Sequence, residues 1–331
     1  MTNLKVIKVG IIGCGLIGQK RAKALAGAEL VACSDKDPIK CAQFAQQNGK
    51  IKSYQDWRKM LDDQTIDVVV IATPHNTLAE MTLQAMQANK HVLVEKPAAC
   101  YPEELEPLFT LPQFSKVCVR VGFNHRYHRS LQKAKQLINQ GMIGDLMYIR
   151  ARYGHGGRIG YDQEWRADPA ISGGGELLDQ GVHLIDLARW FLGEFVEQSG
   201  FAHTYFWNMP VDDNGFLLLK TAQKQVAFLH ASCTEWKNIF SMEIYGRQGK
   251  LVIEGLGGSY GVERLILYKM LPEMGPPETT IWEYPMADNS WQIEFADFLE
   301  DIRLQRPSNP GLKDAYEALK IVHNVYKECQ L

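Results

Sequence analysis

Along the first 125 positions, apolar residues come in short continuous runs separated by stretches with helical spacing. VIKVGIIG (residues 6–13), ELVACSD (29–35), IDVVVIATP (66–74), HVLVEKP (91–97) and KVCVRVGF (116–123) read as strands, most of them apolar on both faces. Residues 16–25, 39–48, 79–88 and 103–108 carry the helical period between them. Strands alternating with helices of about ten residues predict βαβ units and a parallel sheet. Right-handed crossovers make that sheet doubly wound.

The texture changes after Asn124. A helix over residues 130–140 ends at Gly141, and a strand begins near Leu146. SGGGELLDQGVHLIDLARWFLG (172–193) carries a long amphipathic helix. From Glu197 onward FAHTYFW, FLLLK, QVAFLHASC, FSMEIYG, KLVIEG, RLILYKM and TIWEY follow one another across short turns. Consecutive strands without intervening helices predict an antiparallel meander. Helices near 291–304 and 312–328 close the chain. The expected architecture is α/β. An N-terminal Rossmann domain (1–125), with a doubly wound parallel sheet, joins a C-terminal α+β domain (126–331) with an open, mainly antiparallel sheet. An open sheet needs a cover on its outer face. A homodimer or homotetramer is the simplest cover.

Composition narrows the function classes. The chain has 331 residues, enough for two domains. Its 36 basic and 38 acidic residues nearly cancel, which argues against a nucleic-acid partner. No apolar run approaches the roughly 18 residues of a membrane span. The seven cysteines are odd in number, without CxxC spacing, and read as reduced thiols. MTNLKVIKVG runs straight into a strand with no secretory pattern. The expectation is a cytoplasmic protein acting on a small molecule.

Gly13-Cys14-Gly15-Leu16-Ile17-Gly18 is a GxGxxG that follows a buried strand and opens a helix, the context its mechanism requires. Gly13 serves the tight turn, Gly15 lets a pyrophosphate approach the backbone, and Gly18 lets helix and strand pack. The N–H groups of the helix start face the phosphates. Asp35 ends the second strand, 17 residues after Gly18, where a carboxylate accepts hydrogen bonds from the adenosine ribose. A ribose phosphate there would meet like charge, so NAD is favoured over NADP; Lys36 and Lys40 would soften that preference. Asp35 could instead be a helix N-cap or a turn aspartate, for which SDKDP offers several candidates. Lys96, at the end of a parallel strand, faces the ligand edge of an open sheet and can stabilise developing alkoxide charge.

The order GxGxxG, Thr73-Pro74, Glu95-Lys96-Pro97 and GGGELLDQGVHLID resembles the glucose–fructose oxidoreductase / inositol dehydrogenase / rhizopine-catabolism (Gfo/Idh/MocA) family over nearly the whole chain. The resemblance implies a nicotinamide cofactor and sugar, cyclitol or nucleotide-sugar substrates. The family's lysine maps to Lys96, and its aspartate and histidine to Asp179 and His183. These two stand four residues apart, on one face of a helix. An imidazole suits removal of a hydroxyl proton near neutral pH. Asp179 would orient it or touch substrate, and Asp186 could fix its tautomer. The cofactor set is Gly13, Gly15, Leu16, Ile17, Gly18, Asp35, Thr73, Pro74, His75, Glu95, Lys96 and Asn124. The chain departs from the family at TPHNTLAE, where Leu78 replaces a common histidine.

Asn124 and Arg126 resemble the family's Asn-x-Arg segment, which lies near cofactor and substrate. His125 and His128 have no third ligand at metal spacing, so no metal is expected. The loop YGHGGRIGYDQEWR (153–166) mixes rings and charges suited to polyhydroxylated compounds. His155, Arg158, Trp165 and Arg166 are its substrate candidates, with Glu235 and Trp236 from TEWKN. GLGGSYG (255–261) lacks a strand-to-helix context and reads as a turn between strands. The leading expectation is a hydride-transferring dehydrogenase acting on CH–OH groups. Redox-neutral chemistry through a transient ketone, with tightly held NAD, is the second, and a cofactor-sensing regulator the third. Fold alone does not choose among them.

Overall fold

The computed structural model describes residues 6–330; residues 1–5, on which the reading of the N-terminal stretch partly falls, and residue 331 lie outside the described residues. The chain divides into two compact units, one formed by residues 1–123 and 291–317, the other by residues 124–290 and 318–331.

The first unit is built on β1 (Lys8–Ile12), α1 (Leu16–Ala22), β2 (Glu29–Ser34), α2 (Pro38–Gln47), β3 (Lys52–Tyr54), α3 (Trp57–Leu61), β4 (Val68–Ile71), α4 (Leu78–Gln87), β5 (His91–Val94), α5 (Glu106–Phe109) and β6 (Val119–Val121). Its six strands run parallel in the order β3-β2-β1-β4-β5-β6. The order reverses between β1 and β4, and ligands of such sheets bind beyond the strand ends at that point. All four residues of β4 are buried, as its unbroken VVVI implies. The short, mostly exposed β3 and the helix after it are additions that the apolar pattern did not mark.

The second unit begins with α6 (Arg129–Asn139), β7 (Leu146–Gly154), α7 (Pro169–Ser172) and α8 (Val182–Leu192). Seven strands follow: β8 (Phe195–His203), β9 (Asn214–Thr221), β10 (Val226–Ser232), β11 (Ile239–Gly246), β12 (Gly249–Glu254), β13 (Glu263–Lys269) and β14 (Glu278–Tyr284). The sheet order is β14-β13-β12-β11-β7-β10-β9-β8. The expected meander is therefore interrupted: β7 inserts between β11 and β10 and pairs parallel with β10, the other pairings being antiparallel. β11 alternates cleanly, with Phe240, Met242 and Ile244 inward. α6 and α8 cover the inner face. The outer face carries Phe201, Leu218, Phe228 and Ile281, all exposed. Gly255 to Gly261 is the expected turn between strands.

Two helices end the chain, α9 (Ser290–Leu304) and α10 (Leu312–Cys329). The expected boundary at residue 126 misplaces their first part. Phe295, Phe298 and Leu299 complete the core of the first unit, packed with Val9, Ile11, Val68, Val70 and Leu93. Glu294 and Asp301 pair there with the fully buried Arg21 and Arg120. An apolar stripe in sequence says that a helix is covered, not by which strands.

Candidate active site

In the first unit, each glycine of the turn after β1 has its own reason. Gly13 has φ +97°, and a Cβ there would lie 2.3 Å from the Ala72 carbonyl oxygen. A Cβ on Gly18 would lie 1.9 Å from the Gly13 carbonyl oxygen, so helix and strand touch through bare backbone. Gly15 faces open space: nothing lies within 4 Å of its Cβ position. Gly15 and Leu16 are exposed and Ile17 half-buried at the start of α1.

Asp35 holds this turn. Its Oδ2 accepts the Cys14 N–H at 2.8 Å and its Oδ1 the Asp37 N–H at 2.9 Å. The cap of α2 is Asp37, which accepts from the Ile39 and Lys40 N–H groups. Asp35 is therefore not the helix cap, although its bond to the Asp37 N–H is the local turn that the residue could equally serve. Each carboxylate oxygen keeps a second lone pair for a ribose hydroxyl. Open backbone at Gly15 beside a fixed carboxylate fits an adenine dinucleotide.

The other strand ends carry the remaining first-unit candidates. Thr73 Oγ1 is 2.8 Å from the Thr77 hydroxyl, Pro74 starts a short 3₁₀ turn, and His75 within it is buried. Leu78, at the family's histidine position, is fully buried in the core. Lys96 is half-buried just beyond β5. Glu95, expected at the cofactor, is turned to another task. Its Oε1 accepts from Arg21 Nε at 2.7 Å, and Arg21, also paired with Glu294, lies over the Trp291 ring. This network ties β5 to α1 and α9, a packing role that the motif spacing did not reveal.

The second unit carries the other half of the expected set. His183, in the first turn of α8, is buried and stacks on His125 with ring centroids 3.9 Å apart. Asp179 lies on a π-helical segment, Leu177–Gly181, that feeds α8, and not on a continuous α-helix as the i,i+4 spacing suggested. Such π-turns occur often at functional sites. Asp179 is buried, and its Oδ2 accepts from Arg166 Nε at 3.1 Å. Arg166 lies over Trp165, 4.5 Å from its ring centroid. Burial alone would lower the Arg166 pKa; Asp179 and neighbouring groups raise it above its ordinary value. Gly175, in the preceding glycine run, presses against Asp212, whose backbone oxygen would sit 2.0 Å from a Cβ.

Asp186 and Arg126 were expected near the tautomer of His183 and at the substrate. They pair with each other, both carboxylate oxygens accepting from the guanidinium at 2.8 and 2.6 Å. Asn124 Nδ2 donates to Ser290 Oγ at 3.0 Å. His128 Nδ1 lies 3.2 Å from Glu263 Oε2.

Two groups that the sequence reading passed over meet beside the 153–166 loop, Tyr161 within it and Glu176 outside it. Glu176, buried, lies 3.4 Å from His155 Nε2 and accepts from the Tyr161 hydroxyl at 3.3 Å. His155 Nδ1 accepts the Gly157 N–H at 2.9 Å, which leaves the ring proton on Nε2, toward Glu176. Burial and the nearby Glu176 raise the Tyr161 pKa, so this hydroxyl stays a donor. Tyr161 continues outward through Trp207 and Phe206 to Trp236, with centroid spacings of 5.6, 5.2 and 4.7 Å. Trp236 is exposed with φ +56°. Arg158 is exposed and paired with Glu164, and Glu235 lies 3.8 Å from His230 Nδ1. Glu176 stood inside GGGELLDQG, so the motif was noticed while its acid was not.

Residues 7–123 match the profile described as an oxidoreductase family with an NAD-binding Rossmann fold, and residues 131–252 match the GFO/IDH/MocA C-terminal domain. The chain is 30% identical over 238 residues to a levoglucosan dehydrogenase of Pseudarthrobacter phenanthrenivorans, covering 66% of this chain and 59% of that protein. It is 31% identical over 212 residues to a scyllo-inositol 2-dehydrogenase (NAD(+)) of Bacillus subtilis, covering 62% and 59%. Both alignments thus span less than two thirds of the curated relative. A solved levoglucosan dehydrogenase in complex with NADH and levoglucosan superposes with a TM-score of 0.88 at 25% identity, over 98% of each chain. No helix among the described residues is long and apolar enough to cross a membrane.

Proposed function

The chain belongs to the GFO/IDH/MocA family of NAD-binding oxidoreductases, and from that membership we propose that it oxidises a secondary alcohol of a sugar, cyclitol or nucleotide sugar, or runs the reverse reduction. The observation that carries this reading is the buried Asp179–His183 segment, braced by Arg166 and flanked by Glu176, His155 and Tyr161. NAD, when bound, supplies the acceptor for the carbinol hydride. His183 takes the hydroxyl proton as general base. The Lys96 ammonium, at the end of β5, is a donor suited to stabilising developing alkoxide charge. Asp179, fixed by Arg166, accepts a neighbouring hydroxyl. Glu176 and His155 offer an acceptor and a polar ring to further hydroxyls, and the rings from Tyr161 to Trp236 suit the apolar CH faces of a sugar.

An absorbance screen for NAD reduction across free sugars, anhydrosugars, inositols and nucleotide sugars tests the activity. With the substrate found, Lys96→Met and His183→Ala are each expected to lower turnover about 10²–10⁴-fold while NADH binding persists. Wild-type turnover in both variants would overturn the assignment. We extend the proposal to a homo-oligomer formed through the outer face of the eight-stranded sheet, supported by the exposed Phe201, Leu218, Phe228 and Ile281. A stable monomer in sedimentation at micromolar concentration would exclude it. Seven free thiols suit a reducing compartment such as the cytoplasm.

A further inference from the structure

The cysteines are scattered in sequence, and their spacing read only as reduced thiols. The fold nevertheless brings three of them together in the first unit. Cys14 is the second residue of the glycine turn, Cys33 lies in β2, and Cys41 lies in the first turns of α2. All three are buried, and their sulfur atoms lie within 4.8 Å of one another, those of Cys33 and Cys41 3.7 Å apart. A cation bonded at about 2.3 Å to three thiolates holds the sulfurs roughly 3.8–4.0 Å apart. The trio needs only small side-chain shifts to reach that geometry.

The surroundings favour a soft cation. Val9, Ile11, Leu25 and Phe44 share the same core cluster. The thiol contacts run to backbone carbonyls of Ser34, Cys33, Cys41 and Tyr54. All-thiolate sets suit Cu(I), Zn(II) and Fe–S clusters; the last two take four ligands, so a set of three thiols with no fourth side chain among the described residues favours Cu(I).

We propose that Cys14, Cys33 and Cys41 form a soft-metal site that takes one monovalent copper ion beneath the dinucleotide turn. Binding exchanges three thiol protons for one Cu(I), with no change of oxidation state, and leaves a centre of net charge −2. The Cys14 backbone N–H is bonded to Asp35, so this charge arises in the turn itself. Copper and a pyrophosphate therefore oppose each other there; this second half rests on the dinucleotide reading above.

The test uses the reduced full-length chain in a Cys329→Ser background, which removes the one cysteine that is not fully buried. Cu(I) is offered anaerobically against a chromophoric Cu(I) chelator, in one arm to equilibrium with the folded protein and in another during refolding from urea. One copper retained per chain is expected, with affinity falling at least about tenfold in Cys33→Ala and in Cys41→Ala. Cys118→Ala and Cys233→Ala, which remove buried thiols outside the trio, are expected to bind as the background does. No stoichiometric copper in either arm, or undiminished affinity in both trio variants, overturns the site. NADH titration of the copper-loaded protein is expected to give about tenfold weaker binding, and equal affinity overturns the opposition. A chain that binds no NADH with or without copper rejects the dinucleotide reading, while copper stoichiometry still decides the site.

Discussion

Asp35→Asn separates charge from shape at the dinucleotide turn. The aspartate is fixed at the end of β2 by two backbone N–H groups, from Cys14 and Asp37. Asparagine keeps one acceptor oxygen, so one of these bonds survives and the turn is retained. Two unit charges about 4 Å apart repel by roughly 4 kcal/mol at an effective dielectric of 20. Asp35 is half-buried, so solvent screening reduces that figure to about 1–2 kcal/mol. Removing the charge should then tighten NADPH binding by roughly 5–30-fold. The same change weakens NADH, because a hydrogen bond from a ribose hydroxyl to a charged acceptor contributes about 1.5–3 kcal/mol, or roughly 10–150-fold. The preference for NADH over NADPH should fall by roughly 50–4500-fold. Fluorescence titration of both reduced cofactors at one ionic strength measures this. A preference ratio unchanged within about threefold, in a variant with the wild-type thermal midpoint, would refute the placement of Asp35 at the ribose.

Arg21→Met leaves Glu95 and the fully buried Glu294 without their shared cation, a loss of about 3–5 kcal/mol. Calorimetry should show the thermal midpoint falling by roughly 6–20 °C, and a loss below about 1 kcal/mol would contradict the network's role. His91 Nδ1 accepts the Cys118 N–H at 3.0 Å, and burial pushes the ring below its ordinary pKa. As pH falls below about 6.5, the unfolded chain takes up the proton first. The stability from neutral His91 is therefore fully present above that pH and is lost as pH falls toward the folded-state value. Urea midpoints at pH 7.5 and 5.5 should show a smaller pH dependence in His91→Gln, and parallel profiles would refute the account.

What the sequence disclosed followed the range of the interactions involved. The parallel strands, the glycine turn and Asp35 were legible because each rests on neighbours within one βαβ unit. Lys96 was legible from its strand-end position, whereas Asp179 and His183 stood out only as members of a family pattern, since an Asp/His pair at helical spacing is common on solvated faces. Long-range partners were not legible. Glu95 looked like part of a cofactor motif, and only the fold shows Arg21 pairing with its carboxylate and with that of Glu294, far along the chain. Arg126 and Asp186 neutralise each other for the same reason. The insertion of β7 beside β10 was hidden too, because strand alternation records which face is buried and not which neighbour is paired. Glu176 was overlooked because an acid within a glycine run reads as surface until burial is known.

The return of α9 into the first unit has a consequence for the nascent protein. Phe295, Phe298 and Leu299 are synthesised long after the parallel strands whose core they close. While the ribosome is still making residues 124–290, the dinucleotide half has an unfilled apolar gap and two buried arginines without their late acidic partners. A fragment stopped at residue 123 should therefore be a sticky, chaperone-dependent intermediate and not an autonomous nucleotide binder.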